Sequence, residues 1–287
     1  PELIDFTLPP DHPDTRRSLE KSKGNSLQVY IGQAAWNKKD LPNFYPRGTK
    51  NELAYYASQF NCIEMNATYY RLFPAEQFTK WKNNTPEDFK FCPKIGQDIS
   101  HWGRLNNVNH LVDDFVFAVS HLEEKMGIPF VQMHDNFSPR DIERVESFLD
   151  YWPDDFPLAI EFRHQDWYQQ IDIANRLFSW LEDMNRSTII VDTPGRRDLI
   201  HMRITSRTAF IRFVCANHMS DYKRMDDWIE RIISWKAMGL ERLYFFVHQE
   251  QDETTPFMSA YFIEQFNAKV GTKLVVPRLR DQIGKLF

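Results

Sequence analysis

The sequence predicts an α/β fold, a single TIM-type (β/α)8 barrel, and three observations carry that expectation. Eight short apolar runs recur along the chain, helical patterns separate them, and nearly every run ends in a polar or ionisable side chain. Eight strand–helix units in about 250 residues is the size of this barrel. A doubly wound open sheet is the alternative, because periodicity alone does not see closure.

The runs are "QVYIG" (28–32), "CIEMN" (62–66), "FKFCPK" (89–94), "PFVQM" (129–133), "PLAIEFR" (157–163), "STIIVD" (187–192), "AFIRFV" (209–214) and "RLYFFVH" (242–248). Each is short and rich in β-branched or aromatic residues, as strands are. After the third run, Leu111, Phe115, Val119, Leu122 and Met126 fall on one helical stripe, with Gly127 offering a stop. After the fourth, Ser138 reads as an N-cap, with Pro139 in the first turn and Asp141 near the positive end of the helix dipole. Trp228, Ile232 and Trp235 stack on a helix that stops at Gly239, and Thr255–Pro256 opens another. The segment between runs six and seven is short, arginine-rich and the weakest helix candidate. Residues 1–26 are polar and Pro-containing and read as an N-terminal arm; residues 27–287 read as one barrel domain, with no repeat, low-complexity tract or linker inside it.

Bulk properties narrow the classes. At 42% apolar and 26% charged residues, a 287-residue chain can bury a sizeable core. A net charge of −5 disfavours non-specific nucleic-acid binding, which depends on neutralising phosphates. Cys62, Cys92 and Cys215 are odd in number, widely spaced and each within an apolar run. They read as reduced core thiols of a cytoplasmic protein, neither a disulfide framework nor a zinc site. No apolar run reaches 18 residues, so no membrane span is expected, and the first residues lack the pattern of a secretory signal.

Barrel active sites lie at the C-terminal ends of the strands, and here those ends are charged. Run two carries Glu64 and Asn66, run three ends in Lys94, and His134 follows run four. Run five supplies Glu161 and Arg163, two apart and hence on one face; Asp192 ends run six, Arg212 lies inside run seven, and His248 ends run eight. Glu64 and Asn66 would point into the barrel while Ile63 and Met65 face the helices. A buried charge is costly unless paired, so so many at one end argue for a shared site. The bland alternative is a network of ion pairs that closes the barrel top, and for His134 and His248 a satisfied histidine at a strand end. The following loops add Trp36, Tyr69, Tyr70, His101, Trp102 and Trp167 beside Arg47, Arg71 and Arg104. Aromatic platforms beside arginines suit a flat or sugar-bearing ligand, nucleotides included, although aromatics also simply pack loops onto barrels. Arg196, Arg197, Arg203 and Arg207 face one acid, Asp198, either as a solvated basic face or as a phosphate-facing rim. Phosphate-loop, dinucleotide, nucleophile-elbow and H-E-x-x-H signatures are absent, and only ten glycines occur.

The pieces "YIGQAAW" (30–36), "ELAYYASQFNCIEMNATYYRL" (52–72), "FKFCPKIGQDISH" (89–101), "PLAIEFRHQDWY" (157–168), "VDTP" (191–194) and "AFIRFVC" (209–215) follow one another in collinear order. In this the chain resembles the YecE-like family, domain of unknown function 72, over about residues 28–265. The resemblance implies a TIM-type barrel and leaves the activity open. Two departures stand out. The family's first-strand pattern keeps only Gly32 and Trp36 here, and Phe213-Val214-Cys215 follows Arg212 where many members place a histidine.

Three functional readings follow. The first is an enzyme, a hydrolase or lyase, on a phosphorylated or nucleotide-like substrate. Lys94, Arg163 and Arg212 would hold the anion, Trp36, Asn66 and Tyr70 would line the site, and Glu64 and Glu161 would act as general acid and base with separated pKa values. It requires no cofactor. The second is a metal-dependent phosphodiesterase or endonuclease-like hydrolase, with a divalent ion on Glu64, Glu161, Asp192 and His134 or His248. The third is a non-enzymatic binding protein, whose tail from Gln282 to Phe287 faintly resembles peptides that dock on the bacterial sliding clamp.

Overall fold

All eight expected strands form, and they run parallel. The computed structural model describes residues 4–20, 26–249 and 254–279. The strands are β1 (Gln28–Gln33), β2 (Cys62–Met65), β3 (Lys90–Pro93), β4 (Phe130–Gln132), β5 (Ala159–Glu161), β6 (Ser187–Asp192), β7 (Thr208–Val214) and β8 (Arg242–His248). The helices are α1 (Pro13–Glu20), α2 (Glu52–Ala57), α3 (Ala67–Tyr70), α4 (Ala75–Asn83), α5 (Asn109–Ser120), α6 (Ile142–Tyr151), α7 (Asp166–Gln169), α8 (Ile171–Asp183), α9 (Ser220–Met238) and α10 (Thr255–Val270). The strand order is β3-β2-β1-β8-β7-β6-β5-β4. Between β3 and β4 the ring closes through single bridges, Phe91 to Met126 and Lys94 to Phe130, with the Ile95 N–H donating to the Phe130 carbonyl at 2.8 Å. The result is a nearly closed TIM-type barrel, not an open sheet.

Most strands are apolar on both faces because both faces are covered. Odd and even positions feed two cores. Cys92, Phe130, Ile189, Val191, Phe210 and Phe246 fill the barrel interior. Ile31, Ile63, Ile160, Ile190, Ile211 and Phe245 pack outward under the helices. Gly32 sits where β1 meets β2, and a Cβ there would lie 2.2 Å from the Cys62 carbonyl oxygen. That is a physical reason for glycine in the first-strand pattern.

The helices differ from expectation in two places. α5 ends at Ser120, short of Gly127. Gly127 is required instead by close approach to β3: its N–H donates to the Phe91 carbonyl at 2.7 Å, and a Cβ would lie 2.9 Å from that oxygen. Ser138 does not cap α6, because a 3-10 turn over Pro139–Asp141 intervenes and the Ser138 hydroxyl accepts from Arg140 at 3.4 Å. By contrast α9 buries Trp228, Ile232 and Trp235 and ends at Gly239 with φ 116°, and α10 starts at Thr255. Between β6 and β7 there is only a 3-10 turn, Arg197–Leu199.

Of the chain ahead of β1, the described residues 4–20 are docked on the barrel. Leu19 of α1 is buried, Arg17 meets Glu182 of α8 at 2.6 Å, and Arg231 of α9 reaches Asp11 at 2.7 Å. The clamp-like tail from Gln282 onward lies outside the described residues. Among those described, no helix is long and apolar enough to cross a membrane.

Candidate active site

Glu64 is the third residue of β2, so its side chain points inward with Cys62 while Ile63 and Met65 face the helices. By the same alternation Glu161 follows Ala159, Arg212 follows Phe210, and His248 follows Phe246, all into the barrel mouth. Arg212 is the centre. Its Nε and Nη2 donate to the two oxygens of Glu64 at 3.1 and 3.0 Å, and its Nη1 donates to Glu161 Oε2 at 2.6 Å. His248 Nε2 lies 2.9 Å from Glu64 Oε2, and Asn66 Nδ2 donates to Glu64 Oε1 at 3.1 Å. Glu161 Oε1 accepts from Arg163 Nη1 at 3.1 Å and from Gln132 Nε2 at 2.7 Å. Arg163 also pairs with Asp135 on the rim.

Lys94 completes the ring. Its Nζ donates to Gln132 Oε1 at 2.8 Å and sits 4.5 Å from the centre of the Tyr69 ring. Its backbone is pinned on both sides, N–H to the Met65 carbonyl at 3.1 Å and C=O to the Thr68 hydroxyl at 2.7 Å. Tyr69, His101 and His134 continue outward as an edge-to-face row, with ring centres 5.1 and 5.3 Å apart. His101 is presented by one turn of π-helix, Asp98–Trp102, a local geometry common at functional sites. Exposure grades from floor to rim: the Glu64 side chain is 0% exposed, Arg212 12%, Arg163 26% and Asp135 59%.

Electrostatics set the protonation states. Burial pushes the Glu64 and Glu161 carboxyls up, but Arg212 outweighs it, helped by His248 at Glu64 and by Arg163 and Gln132 at Glu161, so both are held below the usual carboxylate range. Burial opposes the Arg212 charge, but those two carboxylates win and raise it. Lys94 goes the other way: burial and the neighbouring Arg212 lower it to about 8, against the weaker pull of Glu64 and Glu161. His101 falls to about 4 through burial, then His134 and Lys94.

Of the candidate residues, Glu64, Asn66, Lys94, Glu161, Arg163, Arg212 and His248 converge. His134 stands exposed at the rim, its Nδ1 accepting from the Asn136 N–H at 3.2 Å. Three residues do not join. Asp192 faces the helices, where its Oδ2 accepts from Trp228 Nε1 at 2.8 Å and its Oδ1 meets Arg224 at 2.9 Å and also Arg197. Trp36 packs edge-on against Trp81 at 5.7 Å. Tyr70 is 71% exposed and meets the edge of Tyr69 at 5.1 Å. The split of roles between Glu64 and Glu161 also fails, since Arg212 depresses both carboxyls together. Gln132, which ties Lys94 to Glu161, is not among the residues the sequence singles out; its one sequence signal is an amide two places after Phe130 in an apolar run. Among the described residues no three His, Cys, Asp or Glu side chains form a metal-ligand group. Both glutamates are gripped by Arg212, so the donor set does not fit a divalent ion.

The same architecture recurs in known proteins. Residues 30–281 match the family model "Protein of unknown function DUF72". The chain belongs to the DUF72 family. It is 27% identical over 239 residues to the UPF0759 protein YecE of Escherichia coli, covering 77% of this chain and 86% of that protein. It is also 27% identical over 150 residues to the UPF0759 protein YunF of Bacillus subtilis, covering 49% of this chain and 52% of that protein. Crystal structures of DUF72 family proteins share the fold. One from Enterococcus faecalis has a TM-score of 0.68 at 19% identity, covering 87% of this chain and all 100% of its own. One from Thermotoga maritima has a TM-score of 0.68 at 21% identity, covering 85% and 100%.

Proposed function

We propose that this chain is an enzyme acting on a small phosphorylated substrate at the barrel mouth, with Lys94 as its reactive group. The observation that carries the reading is Lys94 itself. It is a buried cation at a strand end for which no carboxylate partner occurs among the described residues, and two of its three N–H donors are unused by any described group. Its pKa of about 8 lies near neutrality, which suits a general base or acid. Arg163 is the anion ligand, because its partner Asp135 is exposed and free to swing away. A cavity of about 870 Å³ opens at the opposite, N-terminal end of the barrel, but its four basic and four acidic lining side chains balance, and barrel chemistry belongs to the other end.

The test is thermal stabilisation by inorganic phosphate and a panel of small phosphorylated compounds, on the wild type and on Arg163→Met. A ligand at ten times its Kd raises the Tm by about 2–4 °C. That rise is expected for at least one compound with the wild type and not with Arg163→Met. No stabilisation by any compound, or equal stabilisation of both proteins, removes the reading.

A further inference from the structure

We infer that Lys94 is a nucleophile that forms an imine with an aldehyde or ketone carbonyl of the substrate, an inference that rests on the phosphorylated-substrate reading above. The argument starts from how charges are shared in the mouth. Among the described residues three carboxylates lie there, Glu64, Glu161 and Asp135, and an arginine grips each one. Arginine does not give up its proton in proteins. Carboxylates held by arginine are therefore not tied to the lysine, and among the described residues Lys94 is left with the neutral amide of Gln132. The amide is itself oriented, because its NH2 donates to Glu161, which turns its oxygen to the lysine. A buried, strand-anchored amine with a neutral partner is the arrangement that lets a lysine attack as the free base.

The covalent step balances without any oxidant or cofactor. The Nζ lone pair bonds to the carbonyl carbon, the C=O π pair moves to oxygen, and that oxygen takes up the proton released by nitrogen. The carbinolamine C–O bond then breaks, water leaves with a second proton, and the nitrogen lone pair closes the C=N bond. When the imine is protonated, it restores the positive charge of Lys94 beside Glu64 and Glu161, which remain ionised. Such an iminium draws electrons from the adjacent carbon and promotes C–H or C–C cleavage there. The substrate class is thus a phosphorylated aldehyde or ketone, and the reaction class lyase or isomerase.

The probes are glycolaldehyde phosphate and pyridoxal 5′-phosphate, each trapped with borohydride and mapped by peptide mass spectrometry. Lys94 is expected to be labelled roughly tenfold faster than exposed lysines at pH 8. Its labelling rate should rise with a midpoint near its pKa of about 8, while surface lysines follow their ordinary value of about 10.4. Lys94→Arg should lose this label and keep the surface ones, and inorganic phosphate should slow it. Labelling of surface lysines but not Lys94 by both aldehydes overturns the imine. Phosphate stabilisation of the same samples separates the two ideas: if it persists, only the imine falls, and if it is absent, both fall.

Discussion

Two buried carboxylates in this barrel look alike by composition and differ by one residue of strand phase. Asp192 ends β6 and Glu64 lies in β2; both are 0% exposed and both are gripped by arginine. Asp192 faces outward. Its network runs through Trp228 and Arg224 to Asp221; the Arg224 guanidinium carbon lies 4.5 Å from the ring centre of Phe6 in the N-terminal arm and 4.3 Å from that of Phe213 in β7. Glu64 faces inward, into a cluster that ends at solvent. The outer network is closed by apolar and hydrogen-bonded partners, whereas among the described residues the inner one leaves a lysine tied only to an amide. Similar residue types thus hold the barrel wall to α9 on one face and build a site on the other.

The largest expected effect comes from cutting each network at its arginine. Arg212→Met leaves two buried carboxylates without their main partner, and breaking a buried pair in this way costs about 3–5 kcal/mol. Arg224→Met leaves Asp192 with Arg197 and Trp228, and Asp221 with the backbone N–H of Ala216. Its loss should be smaller, about 2 kcal/mol. Urea unfolding of both variants, with phosphate titrated into each, reads the contrast. Phosphate should still stabilise Arg224→Met and should fail to stabilise Arg212→Met. Equal losses, or a phosphate response in both, would erase the distinction between the faces.

Lys94 sharpens the contrast with an effect of opposite sign. A pKa lowered from 10.5 to about 8 corresponds to about 3 kcal/mol acting against the charged lysine in the folded state. Lys94→Met should therefore stabilise the protein by about 2–3 kcal/mol at pH 7. The unfolded chain holds more protons than the folded one between about pH 8 and 10.5, so wild-type stability rises through that window and the gain of the variant shrinks. Below pH 8 the penalty is complete. Denaturation of both proteins at pH 7 and pH 9.5 checks this. A variant less stable than wild type at pH 7 would make Lys94 a structural residue like those around Asp192.

Strand phase also explains what could be read from the sequence. β2 reveals its phase, since Glu64 and Asn66 alternate with Ile63 and Met65 and point to one face. β6 hides its phase, because Ile189, Ile190 and Val191 are apolar on both faces and Asp192 could belong to either. Chain proximity points Trp36 and Tyr70 to the mouth, but a loop side chain is aimed by tertiary contacts such as Trp81 and Tyr69, which no local period encodes. The same limit applies at Gly127, where the glycine marks an approach to β3 rather than a helix end. Strand number, order of polar ends and the inward set on β2, β5, β7 and β8 follow from local pattern; partner choice among those charges does not.

The smallest effect tests the rim. Asp135 is 59% exposed and Arg163 26%, so their pair is screened by water and contributes a few tenths of a kcal/mol. Asp135→Ala should leave stability almost unchanged. It should nevertheless raise phosphate affinity several-fold, because it frees one face of the Arg163 fork and removes a negative charge from the path of the anion. No comparable gain is expected from removing the acid of the loop after β6: Asp198→Ala frees Arg196, whose fork points to that carboxylate at 2.9 Å and whose Nη2 also donates to the Arg163 carbonyl at 3.1 Å. Calorimetric phosphate titration of the two variants compares them directly. A gain confined to Asp135→Ala places the anion at Arg163, while a gain confined to Asp198→Ala would move it to the arginine-rich loop after β6.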